Sequence, residues 1–155
     1  MRYWLMKSEP DEASIDHLAQ APQQTLPWTG VRNYQARNFM RDTMKIGDGV
    51  LFYHSSCPAP GIAGLAEVAS TAYPDPTQFD PQSPYFDPKA TQQTPRWQLV
   101  DVVFKQKITL IPLATLREHP ALAHMQVLAK GNRLSITPVT ATEWRFITGQ
   151  LVSPA

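Results

Sequence analysis

The run Trp28–Ser56, WTGVRNYQARNFMRDTMKIGDGVLFYHSS, holds the densest set of structural signals in the 155-residue chain. Trp28-Thr29-Gly30 reads as a turn, because glycine tolerates backbone conformations that other residues avoid. Asn33 can accept a hydrogen bond from the first free N–H groups of a helix, so the sequence predicts a helix from Asn33 to about Asp42. On that helix Tyr34, Arg37 and Arg41 stand at i, i+3 and i+7 and share a face, while Ala36, Phe39 and Met40 read as core. Lys45–Gly49 is a turn. Val50–His54 follows as a strand, apolar without alternation, as expected when both faces are covered.

On the N-terminal side, Arg2–Lys7 is a bulky apolar run ended by Ser8-Glu9-Pro10, and it predicts a first buried strand. Ser14 is placed to cap a short helix over Ile15–Gln20, with Ile15 and Leu18 inward and His17 outward. Thr25–Trp28 reads as a short extended piece. On the C-terminal side, Ile62–Ala72 predicts a strand with a bulge or a close backbone approach at Gly64. Tyr73–Pro95 carries six prolines and several aromatic residues, and it predicts a long, ordered loop. Arg96–Phe104 is a further strand, which Lys105–Leu110 either continues or pairs with. Asp101 interrupts its apolar run, so that carboxylate is expected on an exposed edge or beside a cation. Pro112–Glu118 and Ala121–Leu128 suggest short helices, and Arg133–Ile136 a last strand. Thr140-Ala141-Thr142-Glu143 has the capping-box spacing, with Val139 and Trp144 as its hydrophobic staple, and Gly149 is expected just past the helix end. About six strands with short helices between them point to an α+β fold built as a mixed β-barrel, one domain over residues 1–150 with a short tail at 151–155.

Composition narrows the function. The net charge is +1, so no global field draws the chain to nucleic acid, and any such contact must be local. The single cysteine, Cys57, excludes an internal disulfide and a cysteine metal cluster. No apolar run approaches the ~20 residues of a membrane helix. We therefore expect a soluble cytoplasmic monomer with no membrane contact. His17, His54, His119 and His124 lack zinc-ligand spacing, and there is no phosphate-cradling glycine loop, dinucleotide fingerprint or G-x-S-x-G elbow. No metal or cofactor is implied. His54, Ser55 and Cys57 lie along one extended segment with no orienting carboxylate, a poor arrangement for a nucleophile and its base.

A planar polar ligand is better served. A nucleobase needs flat apolar walls, a few donors and acceptors at its edge, and cations for the flanking phosphate. Trp4, Trp28, Tyr34, Tyr53 and Trp97 are candidate walls. Asn33, His54 and Ser55 are candidate edge readers. Lys7, Arg32 and Arg37 could meet phosphate, Arg32 beside the free N–H groups that open the central helix.

The runs WTGVRNYQARNFMR, MKIGDGVLFYHSS and PGIAGLAEV resemble EVE domains, the thymocyte nuclear protein group among them. So do the opening YWLMKSEP, the strand PRWQLVDVVF and the ending GNRLSITPVTATEW. The resemblance spans nearly the whole chain. It implies a PUA-like barrel that binds modified nucleobases, modified cytosine in DNA or modified bases in RNA, as a non-catalytic module. Carried over by motif, the ligand pocket would draw on Trp4, Lys7, Ser8, Trp28, Gly30, Val31, Arg32, Asn33, Ala36, Tyr53, His54, Ser55, Trp97 and Asp101; the residues' own chemistry puts Arg32 and Arg37 on phosphate. Two other readings stay open. One is an enzyme acting on a nucleotide or nucleic acid through His54 with Lys7 or Asp101. The other is a protein-interaction module using the Tyr73–Pro95 loop, so a protein partner is also in play.

Overall fold

The computed structural model describes all 155 residues. Strand β1, Tyr3–Ser8, lies inside the main sheet with Trp4, Leu5 and Met6 almost fully buried. Its neighbours are β3, Gly49–His54, which runs parallel to it, and β8, Ile136–Val139, which runs antiparallel. With β2 (Thr25–Pro27), β4 (Gly61–Val68) and β7 (Asp101–Pro112) they form a six-stranded mixed sheet in the order β2-β7-β4-β3-β1-β8. Successive side chains of a strand point to opposite faces. Trp4, Met6, Val50 and Phe52 accordingly enter one core with Ile15, Leu18, Ala36 and Met40. Leu5, Leu51 and Tyr53 enter a second core with Leu116, Val139 and Ile147. Helices α1 (Ile15–Gln20) and α2 (Tyr34–Asn38) supply the first core, and α3 (Leu113–Arg117) lines the second. Cover on both faces explains why β1 and β3 read as unbroken apolar runs.

Local signals place the helices. Asn33 Oδ1 accepts from Ala36 N at 3.0 Å and starts α2. Past Asn38 the helix widens, with Met44 N donating to Phe39 O five residues back, and it stops there. Ser14 caps α1 and His17 returns the favour, its Nδ1 accepting from Ser14 N at 2.9 Å. Thr140 and Glu143 form the same reciprocal box at the start of α4, Ala141–Phe146. Gly64 sits where β4 shifts register against β7, and a Cβ there would collide with the Ile15 side chain. The long loop is ordered by a two-stranded ribbon, β5 (Tyr73–Pro74) with β6 (Gln98–Leu99), and by the buried Gln78. Its amide donates to Asp75 O and Trp97 O and accepts from Arg96 N and Trp97 N.

Three expectations need correction. The main sheet is open, not a closed barrel: its edge strands β2 and β8 do not pair with each other. Both are short and carry a proline, Pro27 and Pro138, which cannot donate to a further ladder. The last strand is Ile136–Val139, shifted from Arg133–Ile136, because the Asn132 side chain accepts from Leu134 N and holds 132–134 as a turn. Gly149 does not end α4. It lies in a wider turn closed by Val152 N donating to Ile147 O. Residues 105–110 continue β7 as one twelve-residue strand. No helix is long and apolar enough to cross a membrane.

Candidate nucleic-acid interface

Parallel strands end on the same side, so β1 and β3 deliver Lys7-Ser8 and His54-Ser55 to one edge of the sheet, with Ser8 opposite His54 in register. A cleft of about 750 Å³ opens at that edge. Lys7, Ser8, Ser55 and Ser56 come from the strand ends, and the Trp28–Asn33 segment forms one wall. Asn132, Arg133 and Ser135 line it from the segment before β8, and Glu9, Glu12 and Tyr85 line it from two loops.

The wall is built rigidly. Trp28 N donates to Val100 O at 2.9 Å, and the Trp28 ring packs edge-on against Phe52, 5.4 Å between centroids. Gly30 takes a φ of +85°, a conformation natural to glycine. Its N–H donates to Asp75 Oδ2 at 2.8 Å, and the same oxygen receives Arg32 Nη1 at 3.2 Å. Arg32 Nε and Nη2 both donate to Tyr85 O, and Nη2 also donates to Thr77 Oγ1. Arg32 thus braces the long loop against the wall, with each of its three nitrogens engaged inside the chain. Across the cleft Tyr85 Oη donates to the Glu12 carboxylate, 2.6 Å from both oxygens. That bond, with burial second, pushes the Tyr85 phenol up to about 12. Lys7 has no such partner, and partial burial of its ammonium lowers its pKa.

The fold gathers Lys7, Ser8, Trp28, Gly30, Val31, Arg32, Asn33 and Ser55 around this cleft and places the other predicted residues elsewhere. Trp4 is in the core, its indole N–H donating to Asp48 at 3.1 Å. Ala36 is buried under α2, and Tyr53 points to the opposite core. His54 Nε2 accepts from Ile15 N at 3.1 Å and lines a second cleft of about 520 Å³. Burial lowers its pKa. Trp97 is stacked on Tyr34, 4.9 Å between centroids, and donates its indole N–H to Asp87. Arg37 lies over the Tyr34 ring and donates to Arg96 O and Asn38 Oδ1. Asp101 accepts from Tyr73 Oη at 2.6 Å, so its partner in the strand is a hydroxyl and not a cation.

Glu12, Tyr85, Asn132, Arg133 and Ser135 are cleft residues that the sequence reading did not select. Arg133 and Ser135 sit within the quoted GNRLS run, which was the available signal. Chemically the cleft offers hydroxyls, amides, carboxylates and cations beside the apolar surface of Leu26, Pro27, Trp28 and Val31. The Ser8 hydroxyl donates to Ala13 O at 2.7 Å, and the His54 ring faces α1, so no serine–histidine pair is assembled in it. No group of three His, Cys, Asp or Glu residues is placed to hold a metal ion.

The EVE domain family model matches residues 2–150. Human thymocyte nuclear protein 1 is 44% identical over 163 residues, covering 94% of this chain and 72% of the relative. Among solved structures, a hypothetical protein from Leishmania major is 49% identical with a TM-score of 0.91, covering 96% of this chain and 93% of that one. The human THYN1 protein in complex with 5-methylcytosine containing DNA is 43% identical with a TM-score of 0.90, covering 96% of each chain.

Proposed function

The chain belongs to the EVE domain family, and on that premise we propose that it is a non-catalytic module that binds modified cytosine in DNA, taking the base into the Trp28–Asn33 cleft. The human relative crystallised with 5-methylcytosine containing DNA supports the ligand class. The observation that carries the proposal is the braced wall: Gly30 and Arg32 are both fixed by one Asp75 oxygen, through bonds made within the chain itself. A preorganised site loses less entropy on binding. The cleft is also larger than one heterocycle needs, leaving room for the attached sugar and phosphate.

Base identity would come from its polar rim. A carboxylate accepts from the exocyclic amine of cytosine and repels the carbonyl that thymine presents in its place. Glu9 and Glu12 are the carboxylates at hand. A buried methyl contributes only ~0.8 kcal/mol, about fourfold in affinity, so sharper selection would need steric exclusion of other bases. The enzyme reading is disfavoured because the His54 acceptor nitrogen is occupied by Ile15 N–H.

The test is a titration of otherwise identical DNA and RNA oligonucleotides carrying 5-methylcytosine or cytosine, with backbone amide shifts followed by NMR. The expected result is tighter binding of the methylated DNA strand, with shifts at Lys7, Ser8 and Gly30–Asn33. Equal affinity for all strands would sink selectivity, and preference for the RNA strand would move the module to RNA.

A further inference from the structure

The chain has fourteen lysines and arginines, and three of them line the cleft: Lys7, Arg32 and Arg133. Arg32 is spent. Its five hydrogen bonds run to Tyr85 O, Val31 O, Asp75 and Thr77. Lys7 Nζ and the Arg133 guanidinium take part in none of the chain's ion pairs, which are made by Arg32, Arg41, Arg96, Lys105 and Lys107. Neither makes a side-chain hydrogen bond. The two arise from adjacent backbone: Lys7 N donates to Ser135 O at 2.8 Å, two residues from Arg133.

Resting on the reading above, we infer that Lys7 and Arg133 form the cleft's phosphate subsite, receiving the phosphodiester next to the bound base. Lys7 carries the stronger argument. Removing an ammonium from water is costly unless a counter-charge or hydrogen bonds offset it. Lys7 is partly buried, its pKa is lowered for that reason, and the chain supplies no offset. A lysine and an arginine both bind phosphate oxygens well, and phosphate is the anion that a nucleic-acid strand brings. The cleft's carboxylates and its unpaired cations come from different lengths of chain. Glu9 and Glu12 project from the loop between β1 and α1, and Glu12 is tied to Tyr85. Lys7 and Arg133 belong to the β1–β8 side. A strand entering the cleft would therefore place its backbone over Lys7 and Arg133 and present its base toward the carboxylates and the Trp28–Asn33 wall. Arg37 sits over the Tyr34 ring and does not line the cleft, so it serves as the control cation.

The experiment compares three probes: 5-methyl-2′-deoxycytidine, its monophosphate, and a short single-stranded oligonucleotide carrying the same base. They are titrated against the full chain and against Lys7→Met, Arg133→Gln, the double variant and Arg37→Gln. In the parent chain the monophosphate should bind at least several-fold tighter than the nucleoside. The double variant should bring that ratio close to one. For the oligonucleotide, the slope of log K against log salt should become shallower by about 0.7 for each cation removed, about 1.4 for the double variant. Arg37→Gln should keep both the ratio and the slope. Thermal unfolding of each variant separates these effects from loss of fold, and Lys7→Gln replaces Lys7→Met if the latter melts early. An unchanged ratio and slope in the double variant overturns the inference while leaving the base-binding reading intact. Absence of binding by the parent chain to all three probes overturns both.

Discussion

The Arg32 guanidinium and the Asp75 carboxylate meet at 3.2 Å across 43 residues of sequence, with the Asp75 side chain fully buried. Asp75 also accepts from Gly30 N, Thr77 N and Thr77 Oγ1, so one carboxylate fixes the cleft wall and the long loop together. Removing one partner of a buried pair leaves the other uncompensated and costs about 3–5 kcal/mol. Arg32 keeps some solvent contact, so the low end applies. Asp75→Ala should lower unfolding stability in urea by about 3 kcal/mol and abolish nucleoside binding even in the fraction that stays folded.

Gly30 is required twice over. Its φ is +85°, and a Cβ at this position would stand 2.7 Å from Tyr85 Cζ. That ring end cannot swing away freely, because its hydroxyl is held by Glu12. Gly30→Ala should cost about 1–3 kcal/mol from backbone strain and also push Tyr85 off Glu12. The Tyr85 phenol, now raised to about 12, should then ionise closer to its ordinary value in an ultraviolet titration. In a Tyr85→Ala background the same substitution should cost less, and the difference measures the steric part.

What the sequence conveyed well was local. The Asn33 cap, the Thr140–Glu143 box and the Gly64 register shift each depend on residues within a turn of one another, or on a glycine that marks a close approach. What it hid was long-range. Trp4, Tyr53 and Trp97 carry the same ring chemistry as a pocket wall; for Trp4 and Tyr53, in strands covered on both faces, alternation does not tell which face meets a ligand, and Trp97 is placed by its distant partners Tyr34 and Asp87. Arg32 looked like a free cation because its partners Asp75, Thr77 and Tyr85 lie more than forty residues away. Strand count alone does not say whether edge strands meet, whereas Pro27 and Pro138 on the edge strands bear directly on the sheet being open.

His54 should make the fold sensitive to mild acid. Burial lowers its pKa and nearby Lys107 adds to the effect, against the opposing pull of Asp16. The folded state therefore favours the neutral ring, whose Nε2 accepts from Ile15 N at the start of α1. That contribution is complete above the unfolded value of 6.5 and is lost as pH falls through the lower folded value. Urea stability should decline as pH drops below about 6.5. His54→Phe should flatten this decline and cost about 1 kcal/mol at neutral pH, from the Ile15 N–H left without its acceptor. A decline of equal size in the variant would assign the acid sensitivity to another group.

Trp4 offers the sharpest separation between stability and binding. Its indole N–H is one of three donors to the buried Asp48 carboxylate, with Arg2 N and Lys45 N, and its ring packs 5.1 Å from Phe39. Trp4→Phe preserves an aromatic ring in that core and removes the donor. A hydrogen bond to a charged group contributes about 1.5–3 kcal/mol, and the variant should lose that much in a denaturant titration. Because the indole lies in the core and not along the cleft, affinity for a modified nucleoside should stay within about twofold of the parent, well inside the 1.4 kcal/mol of a tenfold change. Loss of affinity with stability intact would put the indole in the path of the ligand and withdraw Trp4 from the core's structural account.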